Sequence, residues 1–152
     1  METGIRKKQL TAQISKRCSF VVCFLFSVLH GQGIDVSQRT ADSLYADSLY
    51  ITGKNYYKLD DGENAVLLLE KALELFKAGG FTKQIGVAHN RLAMTYFERF
   101  GNWKKAEKHW LKTLEIREGM KDSSGIARAK HYLGNVYTKM DGYEKAEGFY
   151  KE

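Results

Sequence analysis

The sequence predicts an all-α protein built as an array of helical hairpins, preceded by a short segment of different character. Three observations carry this. A spaced pattern of small and aromatic residues returns three times, a polar turn falls at the same place in every copy, and a charged-then-apolar stretch sits at the N-terminus. The copies are Leu49-x3-Gly53-x2-Tyr56-x8-Ala65-x3-Leu69, Arg91-Leu92-Ala93-x2-Tyr96-x9-Ala106-x3-Trp110 and Leu133-Gly134-x2-Tyr137-x8-Ala146-x3-Tyr150. The aromatic anchors at 56, 96 and 137 step by 40 and 41 residues, a fixed period of the kind that marks a repeat array.

Each copy has the residues a close helix crossing needs. Gly53, Ala93 and Gly134 are small positions on a first helix, and Ala65, Ala106 and Ala146 are small positions on a second. Leu69, Trp110 and Tyr150 follow one turn later and fill the space beside the crossing, with helical spacing joining each set. Between the helices come Asp60-Asp61-Gly62-Glu63, Phe100-Gly101-Asn102-Trp103 and Asp141-Gly142-Tyr143-Glu144, residue types that tolerate a tight turn.

At these residues the chain resembles the tetratricopeptide repeat family, whose pattern is Leu-Gly-x2-Tyr, then Ala eight residues on, then Phe or Tyr four later. The third copy, Tyr132 to Tyr137 and Tyr143 to Tyr150, is close to that pattern throughout. The second has one inserted turn residue and Ala93 in place of Gly, and the first has Thr52 in place of the leucine before Gly53. The period exceeds the common ~34 residues. The family's usual proline is absent, since the chain has none. The segments Lys77 to Phe81 and Glu118 to Gly125 read as longer inter-repeat connections in its stead, as in the longer-period type. The resemblance implies a right-handed helical-hairpin solenoid.

In order along the chain, residues 1–33 read as a signal peptide. Arg6, Lys7, Lys8, Lys16 and Arg17 precede an uncharged run from Cys18 to Leu29, then His30-Gly31-Gln32-Gly33. Twelve residues of helix rise about 18 Å, short of the ~30 Å hydrocarbon core. That disfavours a membrane span, although an uncleaved anchor and an unprocessed tail of a cytoplasmic protein are the competing readings. Cleavage is expected after Gly31 or Gly33, giving an exported, periplasmic or extracellular protein. Both cysteines, Cys18 and Cys23, lie in the apolar run, so the remainder has no thiol for disulfide, nucleophilic or zinc chemistry. This segment's five positive and one negative charge account for +4 of the chain's net +6, leaving +2 for residues 34–152, too little for a basic stripe that would bind nucleic acid.

Residues 34–152 form the repeat domain, with repeats at 41–78, 82–118 and 124–152. After a polar lead from Ile34 to Thr40, helices are expected over 41–59, 62–78, 82–99, 102–118 and 124–140, with another from Tyr143. Leu44, Tyr45, Leu49, Tyr56 and Leu59 share one broad face of the first. Phe149 and Tyr150 fall on an apolar face with no following helix to cover it. That is expected at the front of a longer protein, in a truncated reading frame, or where a second copy covers the end.

Catalytic patterns are missing: no HExxH, phosphate loop or serine elbow occurs. His89, His109 and His131 read as solvated or packed helix residues, His89 and His131 in nearly equivalent places. Asp60 to Glu63 reads as turn and helix N-terminal acids rather than a calcium loop, because helix resumes at Asn64. No cofactor or metal is expected. What remains is a surface. The resemblance implies that first helices line a concave groove through Tyr50, Lys54, Tyr57 and Lys58, then Asn90, Met94, Phe97 and Glu98, then His131, Asn135, Thr138 and Lys139. Aromatic, amide and cationic groups of this mix suit a peptide. The function expected is a non-catalytic peptide- or protein-binding scaffold. The alternative is the extracytoplasmic input region of a longer bacterial signalling protein, a sensor histidine kinase or transcriptional regulator.

Overall fold

Six helices follow one another in the computed structural model, which describes residues 36–151, with side chains from Ala41 onward. They are α1 (Val36–Lys58), α2 (Gly62–Gly79), α3 (Thr82–Glu98), α4 (Trp103–Gly119), α5 (Ser123–Lys139) and α6 (Tyr143–Lys151). No strand occurs among the described residues, and none of their helices is long and apolar enough to cross a membrane. The signal segment assigned to 1–33 lies outside the described residues.

Each helix from α2 on packs against its neighbour in sequence, and the small anchors sit at the crossings. Ala65, Ala93 and Ala106 are wholly buried and Ala146 nearly so. A Cβ on Gly53 would lie 3.0 Å from Leu69 Cγ and 3.2 Å from the Ala65 carbonyl oxygen, so α1 and α2 touch backbone to side chain there. Leu69 and Trp110, the fillers one turn on, are sealed inside the core with Leu92, Leu133 and Phe76.

Turn geometry repeats as closely as packing does. One residue in each hairpin turn is left-handed: Asp60 at φ 66°, Gly101 at 58° and Asp141 at 58°. The next backbone N–H returns to the carbonyl of the aromatic anchor, Asp61 to Tyr56 (3.0 Å), Asn102 to Tyr96 (2.9 Å) and Gly142 to Tyr137 (2.8 Å). The extra residue of the second copy is therefore absorbed without disturbing the closure. Asp61 then caps α2 by accepting from the Asn64 N–H (3.0 Å), and Asn102 caps α4 by accepting from the Lys105 N–H (3.1 Å). Hydrogen bonds from Asn64 hold the Asp61 carboxyl below its usual pKa.

Three sequence expectations are corrected. The first helix starts at Val36 rather than 41, since Val36 to Thr40 contain neither Gly nor Pro to stop it. Its buried stripe runs through Ala46 and Gly53, leaving Leu44, Tyr45 and Leu59 exposed at 60% or more, because small residues set the closest approach. The inter-repeat connections are also shorter than expected, only Gly80-Phe81 and Met120-Lys121-Asp122. Gly80 and Lys121 turn left-handed, and the Phe81 and Asp122 N–H groups close onto Phe76 and Arg117 carbonyls. The length of each unit resides instead in helices of 17 or 18 residues.

Candidate functional site: the inner helices and a cavity between repeats

The expected groove residues lie on α1, α3 and α5, and the structure ties them into three groups. On α1, Tyr57 donates its hydroxyl hydrogen to Glu98 of α3. Its ring carries the guanidiniums of Arg91 (5.0 Å) and Arg99 (4.8 Å). Burial, followed by the Glu98 carboxylate, pushes the Tyr57 hydroxyl pKa up to about 12. Arg99 also pairs with Asp60 at 2.6 Å and donates to the Tyr57 carbonyl. Arg91 Nε is buried without a hydrogen-bond partner. Tyr50 packs against the core, Lys54 is half-buried and Lys58 is exposed.

The second group surrounds Trp110. The Asn90 side-chain oxygen accepts from the Trp110 indole N–H (3.1 Å), Phe97 meets that indole edge-on (5.6 Å), and Asn90 Nδ2 approaches Met94 Sδ (3.8 Å). Met94 and Phe97 both pack on the core. The third group surrounds Tyr150, whose hydroxyl donates to Asn135 Oδ1 (2.7 Å) and whose ring lies 5.8 Å from that of His131. Lys139, Thr138 and His131 are exposed.

Adjacent to Asn90 is a cavity of about 210 Å³ between α3, α4 and α5. Arg117, Arg128, Thr113 and Tyr132 also line it, and no carboxylate does. The Tyr132 ring stacks on Trp110, centroids 4.9 Å apart and 4° from parallel, which fixes one wall. Arg117 Nη1 donates to Asp122 at 2.7 Å. Asp122 in turn caps α5 by accepting from the Gly125 N–H (2.9 Å), and this bond and the Arg117 pairing hold its carboxyl below the usual range. The arginines were missed in the sequence because only four positions on each inner helix were followed: Arg117 comes from a second helix, and Arg128 of α5 lies outside those four.

Histidine placement also differs from expectation. His89 is buried and His131 exposed, so the two are not equivalent. Instead His89 of α3 meets His109 of α4, Nδ1 to Nδ1 at 2.9 Å. Burial foremost lowers both to a pKa of about 4; the His109 charge and the Lys77 and Lys112 ammoniums add to it at His89, and the Lys108, Lys77 and Lys105 ammoniums at His109. Each lies about one turn from a small anchor, His89 before Ala93 and His109 after Ala106, and that spacing was the available signal. Among the described residues no group of three or more His, Cys, Asp or Glu is placed to hold a metal ion.

Consecutive hairpins with small residues at each crossing, turned at matched left-handed positions, define a helical-repeat solenoid. The family model for the tetratricopeptide repeat matches residues 84–152. Among solved structures, the TPR domain of Arabidopsis FLU is similar at 25% identity and a TM-score of 0.66, over 74% of this chain and 92% of that one. No curated protein matches the chain. Residues 84–152 thus carry tetratricopeptide repeats, in a chain that resembles the fold of a TPR domain over 74% of its length. Solenoids of this family are generally non-catalytic scaffolds that mediate protein–protein binding.

Proposed function

We propose that the repeat domain at 34–152 binds an extended peptide segment of a partner protein along α1, α3 and α5. The observation that carries this is the cavity beside Asn90, where a groove residue expected from sequence opens onto a polar, half-enclosed space. Within the proposed surface the residues divide by role. Tyr57, Asn90, Met94 and Phe97 are held by neighbours and shape the floor. Lys54, Lys58, His131, Asn135 and Lys139 are exposed or half-exposed and contact the ligand, with Tyr50 at the α1 end. Hydrogen-bonding and cationic groups above an aromatic floor suit recognition of a peptide backbone and its side chains.

The test is selection from a synthetic library of random decapeptides against the full chain, followed by the Tyr50→Ala, Asn135→Ala double variant. Selected peptides should bind the variant more weakly while circular dichroism shows undiminished helicity. Equal binding moves the site elsewhere.

Residues 1–33 we read as an export signal, from the basic residues ahead of the Cys18 to Leu29 run. Mass spectrometry of the exported protein should find its N-terminus at Gln32 or Ile34. An intact Met1 end rejects cleavage.

A further inference from the structure

We propose that the outward face of α1 is a self-association surface, on which a second copy of this chain docks its own α1 antiparallel and closes a symmetric dimer. The inference is independent of the peptide-binding reading.

The face is defined by what its equivalents do in the later repeats. Counted from the aromatic anchor, Leu44, Ser48, Ile51 and Asn55 of α1 correspond to Gln84, Ala88, Arg91 and Thr95 of α3 and to Gly125, Ala129, Tyr132 and Val136 of α5. In α3 and α5 these positions meet the preceding hairpin. Ala88, Thr95, Ala129 and Val136 are at most 1% exposed, the Arg91 guanidinium lies over Tyr57 of α1, and Tyr132 stacks on Trp110 of α4. In α1 the same four positions stand in solvent, Leu44 at 70% and Ile51 at 53% exposure, with Tyr45 beside them at 60%. Among the described residues no hairpin precedes α1 to cover them.

The hydroxyl residues of the face do not resist burial. Ser48 donates its hydroxyl hydrogen to the Tyr45 carbonyl (2.9 Å), and Thr52 donates to the Ser48 carbonyl (2.8 Å). Both hydroxyls are therefore satisfied within the helix, and what they present outward costs little to dehydrate. Leu44, Ser48, Ile51 and Asn55 follow the alternating four- and three-residue spacing of a seam that pairs two helices.

Charge and size select a second α1 and set its direction. On one flank of the seam lie Asp47, toward the N-terminal end, and Lys54, toward the C-terminal end, and neither has an ion-pair partner among the described residues. An antiparallel pair centred between Ser48 and Ile51 brings Asp47 of each copy beside Lys54 of the other, two ion pairs from one self-complementary patch, as twofold symmetry requires. The same register sets Ile51 over Ser48 and Leu44 over Asn55 of the second copy, large against small. A parallel pair would set Ser48 on Ser48 and leave both charges unmatched. From Leu44 to Asn55 is about 17 Å of helix, so the interface is small and the dimer weak and reversible. Lys54 stands at the border of the expected groove and is the one residue of that set on this flank.

The experiment is sedimentation equilibrium of the full chain at about 1–300 µM, which should give a monomer–dimer equilibrium with no larger species. Ile51→Asp should abolish the dimer over that range, with helicity by circular dichroism unchanged because the residue is exposed. Asp47→Lys and Lys54→Asp should each raise the dissociation constant about tenfold, since each sets like charges together at two places in the dimer. The double exchange should return it to within about threefold of the original, because the same pairs then form with their signs reversed. A double exchange that does not restore the dimer overturns the antiparallel pairing. Masses that grow past the dimer would mean that α1 stacks on the far end of the next copy. A monomer at every concentration whose melting temperature falls in Ile51→Asp would mean that residues 1–35 cover the face. Either result overturns the proposal, as does a monomer that Ile51→Asp leaves unchanged or a dimer that survives it.

Discussion

Trp110 and Tyr150 occupy the same position in successive repeats, four residues after the small anchor of the second helix, and their fates differ. Trp110 is 1% exposed, stacked under Tyr132, edged by Phe97 and hydrogen-bonded to Asn90. Tyr150 is 48% exposed and reaches only back to α5, where its hydroxyl meets Asn135 and its ring lies over Gly134. The hairpin alone does not bury the filler. The lid over Trp110 comes from α5, the first helix of the next repeat, so stability in this array is shared between neighbours rather than owned by each unit.

The largest effect that tests this difference is expected from Trp110→Ala, which empties a fully enclosed site between two repeats. It should cost about 3–5 kcal/mol in urea unfolding. A cost near that of an exposed aromatic would mean that repeat interfaces carry little of the stability.

Next comes a contrast one residue earlier. His109 stacks on Tyr96 (5.6 Å), and Phe149, its counterpart in the third repeat, stacks on Tyr137 (5.5 Å). With the folded His89 and His109 values near 4 against about 6.5 when unfolded, the unfolded chain takes up protons first as pH falls. Stability is therefore full above about pH 6.5 and is lost through the window down to about 4. The loss should be about 2 kcal/mol for the pair after allowance for solvent screening. Copying the third repeat into the second with His109→Phe should remove roughly half of that dependence, read as melting temperature against pH. An unchanged profile assigns the acid sensitivity elsewhere.

A smaller effect separates the turns. Gly101 is left-handed at φ 58° with open space around it, where the other two hairpins use Asp60 and Asp141. Gly101→Ala should cost about 1–2 kcal/mol from backbone strain alone, and Gly101→Asn less, since Asn tolerates that conformation. Identical melting of both variants would contradict the strain argument. Smallest of all, Tyr150→Ala should cost about 1 kcal/mol or less, the scale of one partly exposed hydrogen bond. A penalty matching Trp110→Ala would erase the contrast between the two repeats.

Much of this fold was legible in the sequence because helix crossings constrain residue size locally. Gly53, Ala65, Ala93, Ala106, Gly134 and Ala146 were assigned to the crossings on size and spacing, and all are buried. Asp61 and Asn102 were legible as turn residues because capping needs a short polar side chain within three residues. The inner-helix residues were less legible in role. Asn90 and Tyr57 have the chemistry of ligand-binding groups, but the structure spends part of that chemistry on Trp110 and Glu98. Spacing along one helix does not reveal which neighbour will claim a side chain.

The interlocks between helices show the same division. Tyr96 donates to Glu70 at 3.1 Å and lies under Lys105 (4.7 Å), while Tyr137 donates to Glu107 and lies under Lys145 (5.2 Å). The lysines are equivalent in sequence, one before each small anchor, but the glutamates are not. By itself the sequence determined the repeat, the helices, the hairpin turns and the small residues at the crossings, because those follow from periodicity and local backbone preference. Only the tertiary structure decided that His89 faces His109, that Tyr132 closes over Trp110, and that Arg117 passes close over Gly125 beside Arg128. Those contacts join residues on different helices, and the crossing geometry that brings them together is set by how whole helices pack.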